Sequence, residues 1–436
     1  MTELYSIYQR CLNAISIAIE KFTLALFLCA LLASCNPQRY SDKPLTERGY
    51  LWQREWTDAV NAAVTSADRK MDGIIVLGTD IQWNAGKPNL IRANLSWETL
   101  KRLQKPVALA LRIEPYPGPF GSRDPAAETI IQEATRLIRE ASNHEVNLSE
   151  LQLDFDCPQK KLAGYKTWVQ MVRAAIRPMK LVLTTLPAWL EERDFPDLIR
   201  QCDEYVLQVH SIPTGHPTGV ICDEALARNW VAKAGALSRP FDVALPTYRC
   251  AAGYDPGGKL LGVAMDSVDP LFPPGTRLLE FDSDAEALAR LINDWRSARP
   301  EYLEGVIWYR LPVSTDRQNW RWPTLLAVME GRSPLHRLEI LREGDNPVDL
   351  SISNTGEADV PLHCTVTVTW KEGVLMASDV LPGWNILMQP GRATFSSNSG
   401  RSLRLPPGTR TGIGWLRYDR TLPLTLQVSE SSPAFE

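Results

Sequence analysis

The stretch LQLDFDCP, Leu151 to Pro158, is an apolar strand-like run that carries two carboxylates two positions apart. Successive side chains of a strand point to opposite faces, so Gln152, Asp154 and Asp156 share one face and the apolar residues take the other. The polar face therefore meets water or a polar site. A solvated antiparallel strand alternates in the same way as a strand end in a parallel barrel, so this stretch alone leaves both open.

Seven further strand-like runs accompany this stretch, with helical stretches between them. The eight predicted strands are Tyr50–Gln53, Gly73–Thr79, Val107–Glu114, Leu151–Asp156, Lys180–Leu186, Tyr205–His210, Phe241–Tyr248 and Gly305–Leu311. The predicted helices are Thr57–Ala67, Ala126–Ala141, Tyr165–Ile176, Asp223–Ala236 and Asp284–Ala298. Regular alternation indicates parallel strands, and eight such units close a barrel. We predict a (β/α)8 TIM-like barrel over residues 48–333. The alternative is an open doubly wound sheet, which would require a glycine-rich turn after the first strand, and the sequence has none there.

The last hundred residues have a different pattern. Short alternating runs are separated by turns rich in glycine and proline, and these runs are 348–352, 364–368, 393–396 and 424–428. Many short strands with regular turn signals are typical of a β-sandwich. We predict a small all-β immunoglobulin-like sandwich over residues 334–436, which either packs on the barrel or spaces it from a surface.

The N-terminus carries a predicted export signal. Residues 22–34 form an uncharged apolar run that is too short to cross a bilayer, which needs about 20 residues. The following LASC, residues 32–35, resembles the lipobox of bacterial lipoproteins, which implies a diacylglycerol on Cys35 and cleavage just before it. We therefore predict a signal peptide over 1–35, a linker over 36–47 and a lipid-anchored protein of the cell envelope. An uncleaved anchor, or a start site placed too early, is the alternative.

Export also bears on cysteines and partners. In an oxidising compartment disulfides persist, and we predict that Cys222 pairs with Cys250. The net charge of −4 offers no basic excess for nucleic acid. The sequence has no close CxxC pair and no HExxH, so we predict neither a metal nor a cofactor.

Function in a parallel barrel lies at the carboxyl ends of the strands, here termed the mouth, because the βα loops gather there. The candidate catalytic residues at these ends are Asp80, Glu114, Asp154 and Asp156. The candidate substrate-binding residues are Trp83, Gln208, His210, Tyr248, Trp308 and Arg310, and Arg112 and Tyr309 lie at the same ends. Such a set suits carbohydrate chemistry, in which a carboxyl pair moves protons and an aromatic ring lies beneath the sugar.

Several of these side chains also have a purely structural interpretation. Asp154 could point into the barrel and only accept hydrogen bonds, and His210 could be a satisfied core histidine. Trp308 is either a platform in the mouth or a packing residue.

Short motifs resemble those of family 18 chitinase-type barrels. LQLDFDCP resembles the DxxDxDxE signature, while ALPTY (residues 244–248) and GVIW (residues 305–308) resemble later strands of that superfamily. The resemblance implies a polysaccharide substrate and a glutamate, two positions beyond the last aspartate, that protonates the leaving oxygen. Pro158 occupies that position and has no proton to give, so the resemblance does not imply the usual chitinase route.

A closer resemblance is to a bacterial lipoprotein-like family, domain-of-unknown-function number 3142. It lies in YLWQREW (residues 50–56), LQLDFDCP and GVIWYRLP (residues 305–312), and it implies a fold without an activity. Two hypotheses follow. In the first, the protein is a glycoside hydrolase acting on a bacterial polysaccharide, with Asp156 as one carboxylate and Glu114 or Asp80 as the other. In the second, it is an inactive glycan-binding or scaffold lipoprotein that holds an envelope partner.

Overall fold

The computed structural model describes residues 44–84, 86–116, 118–121, 124–211, 219–264, 272–397 and 404–430. The predicted signal peptide, the lipidation site Cys35 and most of the predicted linker lie outside these residues. None of the helices in the described ranges combines the length and apolar character that crossing a bilayer requires.

Eight parallel strands form a closed sheet in the first part of the chain. The strands up to residue 309 are β1 Thr46–Leu51, β2 Gly73–Asn84, β3 Lys87–Arg92, β4 Val107–Ile113, β5 Leu148–Phe155, β6 Lys180–Thr185, β7 Glu204–Gln208, β8 Phe241–Pro246, β9 Cys250–Tyr254, β10 Leu260–Ala264, β11 Arg277–Phe281 and β12 Leu303–Tyr309. The hydrogen-bonded order is β1-β12-β8-β7-β6-β5-β4-β2, and β1 also pairs with β2. The predicted TIM-like barrel is therefore confirmed, with all eight predicted strands in place.

Helices cover the outside of this barrel. Their bounds are α1 Asp58–Lys70, α2 Trp97–Lys101, α3 Pro125–Asn143, α4 Leu162–Ile176, α5 Phe195–Ile199, α6 Glu224–Gly235, α7 Ala285–Ser297 and α8 Trp322–Met329. The helix α3 shows why such segments form: the Asp124 side chain caps its first turn, and Ile130, Ala134 and Leu137 recur on the face that packs against the sheet. The short helices α2, α5 and α8 were not among the predicted ones.

Two antiparallel additions modify the barrel. Strand β2 continues beyond the barrel to Asn84 and forms a hairpin with β3, while β9, β10 and β11 form a separate sheet after β8. Neither addition was predicted. Strand β1 begins at Thr46 and pairs with β12, so Thr46 and Glu47 belong to the barrel and not to the predicted linker.

The barrel interior is apolar in the middle and polar at both ends. Its middle layer consists of Tyr50, Ile75, Ala108, Ala110, Val182, Val206, Ala244 and Ile307. Alternation along each strand sends the larger Leu and Phe side chains outward, where the helices cover them. Charged side chains lie at the two ends, and between them Gln152 is a buried polar group that accepts a 2.8 Å hydrogen bond from the Tyr50 hydroxyl.

The amino ends of the strands enclose an ionic cluster, here termed the floor cluster. Arg48 lies 2.8 Å from Glu150 and 3.4 Å from Glu204, and it also contacts Asp242. Lys180 Nζ lies 2.7 Å from Glu204 Oε2 and 3.2 Å from Glu150 Oε2. Three carboxylates therefore share two cations in a largely buried space.

The C-terminal β region, residues 338–430, consists of antiparallel sheets. Its strands are β13 Leu338–Glu343, β14 Val348–Asn354, β15 Val360–Pro361, β16 Cys364–Thr369, β17 Leu375–Val380, β18 Trp384–Gln389, β19 Arg392–Ser397, β20 Arg404–Leu405, β21 Arg410–Tyr418 and β22 Thr425–Glu430. The orders β13-β14-β21-β17 and β18-β19-β16-β22 make two four-stranded sheets that share one apolar core. The immunoglobulin-like assignment stays a prediction.

The C-terminal β region packs on the barrel. Arg249, which precedes β9, lies 2.5 Å from Asp359, and Thr324 in α8 donates a hydrogen bond of 2.5 Å to the Glu357 carbonyl. Arg404 of β20 also lies 3.6 Å from Asp282, which follows β11. These polar contacts favour the packed arrangement over that of a free spacer.

Candidate functional site

The two aspartates of LQLDFDCP lie at the mouth, as predicted, but they differ in exposure. Asp154 is half-buried and accepts hydrogen bonds from Thr184 Oγ1 at 2.6 Å and Gln208 Nε2 at 3.3 Å. Asp156 follows the last residue of β5 and is exposed at the rim. The predicted polar face thus runs from the dry interior at Gln152 to water at Asp156.

Their protonation is perturbed in the same direction. Burial, and next the charge of Asp156, raise the pKa of Asp154 to about 6, against the hydrogen bond from Thr184. Desolvation by the surrounding strand ends also raises the pKa of Asp156, although its side chain keeps contact with solvent, and Arg112 opposes that shift. Asp154 can therefore gain or lose a proton close to pH 6.

Arg112 of β4 is the point at which the acids of the mouth converge. Its Nη2 lies 3.2 Å from Glu114 Oε1. Burial alone would lower the pKa of Arg112, yet the net shift is upward because three carboxylates act on it: Glu114, Asp154 and Asp80. The sequence analysis placed Arg112 at a strand end but gave it no role. Its interaction with Glu114 could have been predicted, because residues two positions apart share one face of a strand.

Asp80 occupies a supporting position. Its side chain is completely buried, and Oδ2 lies 2.5 Å from Arg54 Nη2. Its second oxygen, Oδ1, has no hydrogen-bond partner among the described residues. The structure therefore gives Asp80 the role of a counter-charge behind Arg54, away from direct contact with a ligand.

An aromatic cluster forms the other wall of the mouth, with Tyr309 at its centre. Its ring centroid lies 5.9 Å from that of Tyr50, 5.6 Å from Trp52, 5.7 Å from His210 and 5.6 Å from Tyr248. Tyr248 also brings its hydroxyl to 3.5 Å from His210 Nδ1. Burial lowers the pKa of His210 to about 4, so its imidazole is neutral at pH 7. The structure thus brings two predicted residues, His210 and Tyr248, together with three that had no predicted role, Tyr50, Trp52 and Tyr309.

Trp308 does not lie in the mouth, contrary to the prediction. It is fully buried among the side chains that face the helices, and its Nε1 donates a 2.6 Å hydrogen bond to Glu47. The reason is the alternation along β12: Ile307 and Tyr309 point into the barrel, so Trp308 must point out. Tyr309 takes the position that the prediction assigned to its neighbour.

Three predicted binding residues remain, Trp83, Gln208 and Arg310, and they contact other residues of the mouth. Trp83 packs on Tyr116 with ring centroids 4.6 Å apart and donates a 3.2 Å hydrogen bond to the Glu114 carbonyl, so it stabilises the loop that follows β4. Gln208 orients Asp154, as noted above. Arg310 is buried and forms a 3.0 Å ion pair with Asp316.

A cleft of about 570 Å³ opens at the mouth between the ends of β1, β4 and β12. The residues that matter for its chemistry are Trp52, Arg54, Arg112, Tyr309, Arg310 and Asp316. Because Arg112 both lines this cleft and interacts with Asp154, the cleft adjoins the acid pair.

The predicted disulfide is not formed. Cys222 and Cys250 are both free and buried. They belong to different apolar clusters, since Cys222 packs beneath the helices and Cys250 packs with Tyr248 and Phe281. Within the described ranges, no group of three or more His, Cys, Asp or Glu side chains could hold a metal ion.

Part of this site falls within a span that matches a known family model. Residues 104–314 match the model described as Domain of unknown function (DUF3142). The predicted resemblance to this family is thereby confirmed over residues 104–314, and the lipoprotein character stays a prediction. The DUF3142 span contains Arg112, the acid pair and Tyr309, whereas Trp52, Arg54 and Asp80 precede it. No curated protein matches the chain.

Solved structures that resemble the chain include three bacterial enzymes. A chitinase from Chromobacterium violaceum is 12% identical, with 66% of this chain and 98% of that one covered and a TM-score of 0.45. The spore cortex-lytic enzyme SleL of Bacillus megaterium is 12% identical, with 68% and 75% covered and a TM-score of 0.48. A chitinase from Bacteroides thetaiotaomicron is 12% identical, with 61% and 90% covered and a TM-score of 0.42. At this level the likeness assigns no activity to the chain.

Proposed function

We propose that the mouth of the DUF3142 barrel binds a polysaccharide and hydrolyses it. The observation that carries the proposal is the Asp154 and Asp156 pair, in which the inner carboxyl has a pKa of about 6 and the outer one meets solvent. A group whose pKa lies near the working pH can both give and take a proton during a reaction. Paired carboxyls of this kind are what glycoside hydrolysis requires.

The exposure of each acid suggests its role. Asp156 is the outer carboxyl, so it delivers a proton to the leaving oxygen of the glycosidic bond. Asp154, held by Thr184 and Gln208, has its pKa raised by burial and by the charge of Asp156, so it can hold a proton next to Asp156.

Glu114 supplies the second reacting carboxylate. Strands β4 and β5 pair so that Arg112 is opposite Asp154 and Ile113 is opposite Phe155, which places Glu114 and Asp156 at neighbouring strand ends. Parallel strands lie about 4.8 Å apart, so the two carboxyls flank the same part of the mouth. In this position Glu114 stabilises the oxocarbenium-like transition state, and Arg112 orients the Glu114 carboxylate. A water molecule then adds to the anomeric carbon, and its surplus proton passes to the carboxylate pair and restores the protonated Asp156.

The aromatic cluster supports a sugar ligand. Trp52 and Tyr309 are both half-buried and both line the cleft, so each keeps part of its ring available to a ligand. Rings that combine an apolar body with a polar tip suit the apolar faces and hydroxyl groups of sugars.

One observation favours a second candidate, binding without cleavage. Pro158 is exposed at the position where family 18 barrels carry their proton donor, and it has no acidic hydrogen. If Asp156 does not replace that donor, the mouth holds the polysaccharide on Trp52 and Tyr309 without turnover.

Release of reducing ends from a panel of bacterial polysaccharides tests the two candidates. We expect Asp156→Asn and Glu114→Gln each to lower turnover about a hundredfold or more while binding persists. The matched control is Glu98→Gln, because Glu98 is an exposed acid that pairs with Arg102 beside α2, outside the mouth. Full turnover in Asp156→Asn would reject hydrolysis by this pair. Binding without any turnover that disappears in Trp52→Ala would establish the second candidate.

We also propose that the protein works at the cell envelope, tethered through Cys35. The support is sequence alone: the apolar run over 22–34 and the lipobox-like LASC that follows it. Metabolic labelling with a radioactive fatty acid checks this, since Cys35→Ala should lose both the label and the partition into detergent. A labelled Cys35→Ala protein would contradict the tether.

A further inference from the structure

The cleft beside the acid pair has an excess of guanidinium groups. Arg54, Arg112 and Arg310 line it, against two carboxylates, Glu55 and Asp316. Arg310 and Asp316 form an ion pair of 3.0 Å with both members in the lining, so their charges compensate each other. Glu55 is exposed, and its carboxylate accepts a 3.4 Å hydrogen bond from Asn94. The lining therefore has three arginines against two carboxylates, and Arg54 and Arg112 have no ion-pair partner among the other described lining residues.

Both of these arginines have their counter-charges outside the cleft. Arg54 pairs with Asp80 and Arg112 with Glu114, and neither carboxylate belongs to the lining. Each ion pair engages the Nη2 nitrogen, and a guanidinium offers five N–H donors. Because the two side chains are 45% and 34% exposed, N–H groups of both remain available to a ligand.

Aromatic walls and guanidinium groups meet in the same space. Trp52 and Tyr309, with ring centroids 5.6 Å apart, line the cleft together with Arg54 and Arg112. A sugar ring against these aromatics would bring its substituents to the arginines. The planar fork of a guanidinium matches a carboxylate in two parallel hydrogen bonds, which a neutral hydroxymethyl group cannot form.

We propose that the polysaccharide is acidic and that Arg54 and Arg112 bind the carboxylate of a uronic-acid residue. This inference rests on the proposed function and names its substrate class. Asp80, which is fully buried, and Glu114, which is 28% exposed, hold the guanidinium groups in place before the ligand arrives, which lowers the entropic cost of binding.

Calorimetric binding to the full chain provides the test. The probes are oligomers of galacturonate, glucuronate and mannuronate, each compared with its carboxyl-reduced form, which has the same linkage without the charge. We expect at least one acidic oligomer to bind about tenfold or more tightly than its reduced form, since hydrogen bonds to charged groups are among the stronger ones. This preference should shrink between 0.05 and 0.5 M salt, because ions screen a partly exposed contact.

Two variants assign the effect to the cleft. The double variant Arg54→Gln with Asp80→Asn removes both members of one pair, so no buried charge is left without a partner. Arg112→Lys keeps the charge and loses the fork. Each should weaken binding of the acidic oligomer about tenfold and leave the reduced oligomer unchanged. The control is Arg102→Gln, an exposed arginine beside α2 that should change neither.

The outcomes separate this inference from the proposed function. Equal binding of acidic and reduced oligomers overturns the inference, and so does Asp156-dependent cleavage of a neutral polysaccharide by a protein that binds none of the uronates. In the latter case hydrolysis stands and the substrate class is wrong. Arginine-dependent uronate binding without turnover supports the inference and rejects hydrolysis.

Discussion

The two ends of the barrel interior both carry acids around an arginine, yet they differ in how many ion pairs the arginine forms and in how exposed it is. At the floor, Arg48 is only 15% exposed and contacts three carboxylates, with Lys180 as a second cation. At the mouth, Arg112 is 34% exposed and, among the described residues, forms a direct ion pair with one carboxylate, Glu114. The mouth also adjoins an aromatic cluster and a cleft, whereas the floor cluster is enclosed by the strands.

This difference shows that charge within a barrel does not by itself mark a functional site. The floor cluster matches its acids with cations inside the protein, which is what folding requires of buried charge. The mouth keeps Asp156 in contact with solvent and turns guanidinium groups toward a cleft. We therefore expect substitutions at the floor to affect stability and substitutions at the mouth to affect activity.

The largest effect is expected at the floor. Arg48→Met leaves Glu150, Glu204 and Asp242 with only one nearby cation, and it should lower the free energy of unfolding by about 3–5 kcal/mol. Urea denaturation measures the change. Arg102→Met, which breaks an exposed pair beside α2, is the control and should cost about 1 kcal/mol or less. Equal losses in the two variants would remove the distinction between floor and surface.

The opposite pattern is expected at the outer acid of the mouth. Asp156→Asn should reduce hydrolysis about a hundredfold or more but change the free energy of unfolding by less than about 0.5 kcal/mol, because the side chain is exposed. Parallel turnover and urea measurements on one preparation check both parts. A stability loss as large as that of Arg48→Met would contradict the expectation that the floor determines stability and the mouth determines activity.

A smaller effect concerns the inner acid and pH. The pKa of Asp154 rises from 3.8 to about 6 on folding, so the folded state binds the proton more tightly and the free energy of unfolding falls as pH rises from about 4 to 6. Asp154→Asn should remove this pH-dependent fall in the free energy of unfolding, which is on the order of 2 kcal/mol between pH 4 and 6. Urea denaturation from pH 4 to 8 measures the slopes, with Glu98→Gln as the control. Parallel curves for wild type and Asp154→Asn would contradict the raised pKa.

The smallest effect tests exposure within the floor cluster itself. Lys180 contacts Glu150 and Glu204 but is 38% exposed, so water can replace much of what it supplies. Lys180→Met should therefore cost about 1 kcal/mol, well below Arg48→Met. If urea denaturation shows the same loss of unfolding free energy for both substitutions, burial does not explain the difference in strength between the ion pairs of Arg48 and those of Lys180.

Much of the site could be predicted from the sequence. The two failed predictions both concern where a side chain lies in three dimensions, which local sequence patterns do not show. The pair Asp154 and Asp156 was found because a two-residue period is visible within a single strand. Trp308 was assigned to the mouth because the sequence marks the end of β12 without showing which of its last two aromatic residues points inward. The pairing of Cys222 with Cys250 failed because proximity between distant segments leaves no trace in local spacing.

By itself the sequence determined the number of barrel strands, their order along the chain and the polar face of β5, since periodicity and turn residues are local properties. The tertiary structure alone decided that Arg112 lies among three carboxylates, that Tyr309 joins four aromatic rings and that Arg54 stands before a buried Asp80. These arrangements depend on strand register and on the closure of β1 against β12 and β2, which bring together residues far apart in the chain.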